Sequence, residues 1–185
     1  MSRIATPANV DAAPAASRPL LEAVRKQLGV VPNLFRLVGR NPAALEGYVA
    51  LWSALAKGSL APATRERIAL AVAQVNGCDY CLSAHSYLAK NLAKLDDAEI
   101  AANRNGSSND PKADAAVRFA VRVARERGHV GDRDLAALQA AGYDDAQAIE
   151  IVLHVALNTW TNYVNLVADT DIDFPVVRAG ESALA

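Results

Sequence analysis

Ile68-Ala69-Leu70-Ala71-Val72-Ala73-Gln74-Val75, followed by Asn76-Gly77 and then Cys78-Asp79-Tyr80-Cys81-Leu82-Ser83-Ala84-His85, is the stretch whose reading decides the fold. Its first half is apolar on nearly every side of a 3.6-residue helix, the pattern of a helix enclosed by neighbours. Pro62 suits the first turn of that helix, because its missing N–H has no partner to lose there, and Asn76-Gly77 stops it. The reading is a central helix, with a new one starting around Cys78 and running to about Leu95.

Outward from this centre the helical period holds in both directions. Toward the N-terminus, Leu45, Tyr48, Val49, Trp52, Leu55 and Ala56 recur at i, i+3, i+4 and i+7 between Asn41-Pro42 and Lys57-Gly58-Ser59. Shorter helices are expected over Pro32 to Val38 and Pro19 to Leu28. Toward the C-terminus, Asp96 and Glu99 form a capping-box pattern for a short helix, and the polar run Asn103 to Asp110 reads as an exposed loop. Pro111 begins a helix followed by Gly128, and a short helix around Leu135 and Leu138 is closed by Gly142. Asp144 and Asp145 cap the longest helix. There Ile149, Val152, Leu153, Ala156, Trp160, Tyr163, Val164 and Val167 line one stripe over about six turns, the pattern of a face turned to a core. No stretch alternates with a period of two, so the fold class is all-α: one domain over residues 17–185 behind a flexible, Ala/Pro-rich tail, residues 1–16.

The 185 residues carry 19 basic and 20 acidic side chains, dispersed, for a net charge of −1. This leaves no footprint for nucleic acid or an anionic membrane surface. No apolar run approaches the ~20 residues that span a bilayer, and residues 1–16 lack the apolar core of a secretory signal. The expected location is the cytoplasm. Hydrophobic residues make up 52% of the chain, which leaves apolar surface for contacts between copies, so a homo-oligomer is expected.

Only two cysteines are present, Cys78 and Cys81. With His85 they stand at i, i+3 and i+7, so on one helix all three project from one face. A thiol at a helix N-terminus meets unsatisfied N–H groups and the positive end of the dipole, and such thiols fall from ~8.5 to roughly 3.5–7.5 in pKa. His85 is placed to exchange protons with Cys81 or with a leaving group. Glu66 on the preceding helix shares a side with Ala69, Leu70 and Ala73, where a carboxylate could hold His85. Cys78 sits at the helix entry beside Gly77 and Cys81 inside the first turn, one turn below His85, which favours Cys81 as the attacking thiolate.

Plainer readings exist for each residue. A Cys-X-X-Cys pair can be half of a zinc site, but no second pair follows, so no metal or cofactor is expected. Buried cysteines can be small hydrophobes, Glu66 a first-turn acid and His85 a core residue. His154 reads as structural, with Glu150 as its sole acid partner, and His129 as a solvated loop residue. Asn158, Asn162 and Asn165 share part of a face; they could line a pocket, though a subunit interface is the reading preferred for them.

Glu66, eleven residues, Cys78-X-X-Cys81, three residues and His85 together resemble the signature of AhpD-like alkylhydroperoxidases in the carboxymuconolactone decarboxylase superfamily, over about Pro62 to Leu95. The whole chain looks like the peroxidase-related branch, through the Leu-Phe segment near Pro32 and Asp173-Phe174-Pro175 after an Asn-rich last helix. The resemblance implies an AhpD-like helical bundle and an antioxidant oxidoreductase acting on a small hydroperoxide. It implies that Cys81 is peroxidatic, that Cys78 resolves the sulfenic acid to a disulfide, that Glu66 and His85 relay protons, and that a dithiol, lipoyl-type or other, is the reductant. Tyr80 departs from the pattern: the best-studied members carry a second His there, and a phenol is a poor proton shuttle near neutral pH. Tyr80 is therefore a possible pocket residue. The rival activities are a lyase acting on a cyclic lactone acid and a non-enzymatic redox-responsive scaffold.

Overall fold

A short polar side chain followed by proline starts two of the long helices. Asn41 accepts the N–H groups of Ala43 and Ala44 at Pro42–Leu55, and Asp110 those of Lys112 and Ala113 at Pro111–Arg125. Each satisfies donors that have no acceptor inside the helix, while proline has none to leave unpaired. The computed structural model describes residues 2–180, and among these the chain forms nine α-helices and no strand. They are α1 (Arg18–Leu28), α2 (Asn33–Val38), α3 (Pro42–Leu55), α4 (Pro62–Asn76), α5 (Asp79–Asn91), α6 (Asp97–Arg104), α7 (Pro111–Arg125), α8 (Asp132–Ala140) and α9 (Asp145–Ala168).

α4 is central, as its composition requires: α5, α6, α7 and α9 all pack on it. It is a wall between two cores. Leu70 and Ala73 face a cluster with Leu21, Leu45, Leu82 and both cysteines, whereas Ile68 and Val72 face Phe119, Ala120, Leu138 and Ile151. Ile68, Leu70 and Val72 are fully buried, each contributing about 1.5–3 kcal/mol.

Residues 2–14, expected as a flexible tail, lie against the bundle. The Arg3 and Ile4 N–H groups donate to the carbonyl oxygen that ends α9, at Ala168, and Ala13 is buried in the first core. Residues 171–179 return across α5: Asn33 N–H donates to Asp173, Val177 N–H to Ser83, and Ala179 N–H to Asp79. Met1 of the expected tail and residues 181–185 of the expected domain lie outside the described residues.

Three local expectations are corrected. α5 stops at Asn91 rather than near Leu95; its last turn closes on the Leu88 carbonyl and the chain folds back so that Leu95 is buried, leaving Leu92 68% exposed. Asp96 does cap Glu99 N–H, but the Glu99 carboxylate turns inward instead of completing a box. The stripe on α9 points outward: Ile149 is 71% and Val167 65% exposed, with Val152, Leu153, Trp160 and Tyr163 also in water. The buried face is the opposite one, Ile151, His154, Val155, Asn158, Thr161, Asn162, Asn165 and Ala168. Asn158 and Thr161 tolerate burial by donating to the carbonyls of His154 and Asn158 on their own helix.

The loop after α6 is tied down by Glu99. Burial would raise its carboxyl, but hydrogen bonds from Ser108 Oγ (2.5 Å), Asn103 Nδ2 (2.9 Å), Arg67 Nε (2.6 Å) and Asn109 N–H (2.7 Å) hold it down to about 2. Because the folded carboxyl is the more acidic, its contribution is complete above the unfolded value near pH 4.5 and is lost as the pH falls toward 2, on the order of 3 kcal/mol in all. In a Glu99→Gln variant, denaturant unfolding should show lower stability at neutral pH and a flattened acid limb between pH ~4.5 and ~2. An acid limb like the native one would show that another carboxylate governs it.

Candidate active site

Gly77 closes α4 in the left-handed conformation, φ +68°, which a side chain would strain. The turn makes Cys78 the N-cap of α5, where its Sγ accepts the Cys81 N–H at 3.3 Å. Cys81 thus lies in the first turn and the two sulfurs are neighbours. Both thiols are free, and they are only 1% and 3% exposed.

Glu66 reaches across from α4 to α5, with Oε2 at 2.8 Å from His85 Nδ1. Burial would lower the imidazole pKa, but the charge and hydrogen bond of Glu66 outweigh it, with the negative charge of Cys81 adding to them, so His85 stands above its ordinary value. The two side chains are 22% and 23% exposed, so this pair can exchange protons with solvent while the sulfurs cannot.

The structure brings in residues the sequence reading did not assign. Asn165 Nδ2 donates to Cys81 Sγ at 3.3 Å. Asn162, one turn back, acts on the same sulfur and is held by Asn76 Nδ2 at 2.9 Å. These asparagines face the interior, which corrects the interface reading; the signal was their i, i+4, i+7 spacing opposite the apolar stripe. Tyr48 of α3 also stands near Cys81, its hydroxyl pushed upward in pKa by burial and then by that sulfur's charge. Phe35 meets Tyr48 at a tilt (5.0 Å between centroids) and Trp52 edge-on (5.7 Å), and Trp160 packs on Tyr48 (5.3 Å). His154 is 6% exposed and burial lowers it to about 4, so it is neutral near pH 7.

The two sulfurs differ in acidity. For Cys78, its hydrogen bond with Cys81, then burial, then repulsion from Cys81 all raise the thiol. Burial opposes ionisation of Cys81 too, but the Cys78 hydrogen bond, the His85 charge and the Asn165 and Asn162 amides together hold it below the ordinary value. The backbone N–H on Cys78 favours the reverse order and is outweighed. The surroundings thus favour ionisation of Cys81 over that of Cys78.

Tyr80 is engaged elsewhere. Its hydroxyl accepts the Leu34 N–H at 3.0 Å and its ring meets Phe174 edge-on at 5.9 Å, pinning α5 to α2 and the C-terminal segment. Burial, followed by the Asp173 charge, drives the phenol upward, so it holds its proton. Among the described residues, no group of three or more His, Cys, Asp or Glu is arranged to hold a metal ion, and no helix is long and apolar enough to cross a membrane.

Residues 42–126, which contain Glu66, both cysteines and His85, match the carboxymuconolactone decarboxylase family. Over that stretch the chain is similar to this family, and its fold is the AhpD-like one. A peroxidase-related protein with an alkylhydroperoxidase AhpD core from Ralstonia eutropha JMP134 superposes with a TM-score of 0.83 at 25% identity, over 93% of this chain and 92% of that one. Two more structures share the AhpD-like fold: a peroxidase-related protein from Silicibacter sp. TM1040 (0.77, 23% identity, 90% and 91% covered) and the debrominase Bmp8 (0.76, 24%, 91% and 91%). No curated protein sequence matches the chain.

The Glu66–His85 pair generates one prediction. In a Glu66→Gln variant the imidazole loses the charge that raises it, so NMR should show His85 titrating at a lower pH than in the native chain. An unchanged His85 titration would remove Glu66 from the relay.

Proposed function

We propose that the chain is a thiol peroxidase that reduces an organic hydroperoxide at Cys81. The observation that carries this reading is a buried sulfur, Cys81, that accepts the Asn165 amide and is biased toward ionisation, beside a second thiol and an imidazole paired with a carboxylate. The Cys81 thiolate attacks the terminal oxygen of R–O–O–H; the S–O bond forms as O–O breaks, and protonated His85 gives its proton to the departing alkoxide. Cys78 then attacks the sulfenic sulfur: the S–S bond forms, S–O breaks, and the hydroxide leaves as water with the Cys78 proton. A dithiol, lipoyl-type as the family resemblance implies, reduces the disulfide and restores both thiols, and a reducing compartment such as the cytoplasm maintains them. Phe35, Tyr48, Trp52 and Trp160 offer an apolar wall suited to an organic R group.

After a single equivalent of hydroperoxide, mass spectrometry should find a lasting sulfenic acid on Cys81 in Cys78→Ser and little on Cys78 in Cys81→Ser, with peroxide turnover lost in both. Sulfenate mainly on Cys78 would reverse the roles. Oxidation without turnover on any dithiol would favour the redox-responsive scaffold, and no oxidation at either sulfur would favour a lyase, whose chemistry leaves the thiols untouched.

We also propose that copies of the chain associate through α9. Its outward stripe carries no charged side chain, and its seven large apolar residues expose on the order of 700 Å², close to the ~800 Å² per partner of a stable interface. Light scattering at micromolar concentration should find an assembly for the native chain and a monomer for Tyr163→Glu with Val167→Glu. A native monomer would refute this.

A further inference from the structure

Amides approach the Cys81 sulfur from the inner face of α9, and one of them is held in turn by an amide at the end of α4. Asn165 Nδ2 donates to Sγ at 3.3 Å, while its Oδ1, in a residue 3% exposed, is buried and accepts no hydrogen bond. Asn76 Nδ2 occupies Asn162 Oδ1 at 2.9 Å, which leaves the buried Asn162 amide nitrogen, itself without a fixed acceptor, for the same sulfur. A buried carbonyl with no donor costs free energy that a leucine of the same shape would not, so an orphaned acceptor beside a reactive sulfur points to a donor carried by the ligand.

A hydroperoxide carries one such donor. When thiolate attacks R–O–O–H at the terminal oxygen, that oxygen keeps its hydrogen: the products are S–O–H and the alkoxide, which takes its proton from His85. The O–H therefore lies beside the sulfur before and after transfer, and an acceptor fixed there holds it throughout.

We propose that Asn165 is a two-ended clamp, its NH₂ holding the Cys81 thiolate and its carbonyl oxygen receiving the O–H of the hydroperoxide and then of the sulfenic acid. Asn162, aimed by Asn76, is a positioning residue that holds the thiolate from the adjacent turn. The clamp's second end rests on the peroxidase reading above; its first end does not. The titratable groups around Cys81 are Cys78, Tyr80 and His85 on α5, Tyr48 on α3, and Glu66 on α4 acting through His85. None of them is altered by substituting the asparagines.

The test uses the full reduced chain, with thiolate read by ultraviolet absorbance across pH, and Cys81 oxidation by tert-butyl hydroperoxide compared with alkylation by iodoacetamide, which has no O–H. Asn165→Leu should raise the Cys81 pKa by about one unit, a tenfold loss of thiolate at fixed pH. At a pH where ionisation is complete, it should still react at least roughly tenfold more slowly with the hydroperoxide but alkylate at the native rate. Asn165→Asp, which keeps an acceptor but loses the donor, should raise the pKa and restore the native ratio of the two rates. Asn76→Ala, which touches neither sulfur nor substrate, should raise the pKa less and leave the ratio native. An unchanged pKa and ratio in Asn165→Leu would overturn the clamp, and a shifted pKa with an unchanged ratio would overturn its substrate-holding end. If the native chain alkylates but ignores hydroperoxide, the peroxidase reading fails while the thiolate-holding end stands or falls on the pKa alone.

Discussion

An anion in a nearly dry interior has to be met by fixed charges and dipoles, because water is not there to do it. Any ionisation of the buried Cys81 sets that condition for the surrounding structure. At 3% exposure Cys81 is served by the S–H of Cys78, the imidazole of His85, the amides of Asn162 and Asn165 and the first turn of α5. Each partner comes from a defined place: Gly77 turns the chain to put Cys78 at the cap, α4 carries Glu66 to hold His85, and α9 lays its amides over the sulfur. The enclosed α4 is what brings α5 and α9 together at all.

This explains why α9 is inverted. A helix that must present amides inward cannot also present its apolar stripe inward, since the two occupy opposite faces. The cost of burying Asn and Thr is met in part by partners on the same helix, on α4 and at the sulfur. The apolar stripe is then left on the outside. The imidazole–carboxylate pair and the sulfurs also differ in access: His85 and Glu66 touch solvent, and the cysteines are almost wholly buried.

The order and limits of most helices were legible because proline, glycine and short acidic or amide side chains mark them, and the all-round apolarity of Ile68 to Val75 located the centre of the bundle. The Glu66, Cys78, Cys81 and His85 grouping was legible because three of the four lie on one helix and the fourth only one helix away. Asn165 was not, since it is 84 residues from the sulfur it touches and nothing local distinguishes it from Asn158, which merely bonds its own helix. The α9 stripe misled for a related reason: periodicity shows that an apolar face exists but not what covers it. Tyr80 could be placed on the right helix, yet its engagement by Leu34 depends on a contact with α2 that no spacing rule contains.

The distance between Asn165 and the cysteines also orders events in time. On the ribosome α4 and α5 emerge long before α9 and the segment at residues 171–179 that crosses α5. Until those arrive, Cys81 lacks its amides and the pair lies uncovered, two ordinary thiols open to the first oxidant or electrophile they meet. A nascent chain therefore has its thiols most open to misplaced sulfur chemistry during the interval before α9 docks.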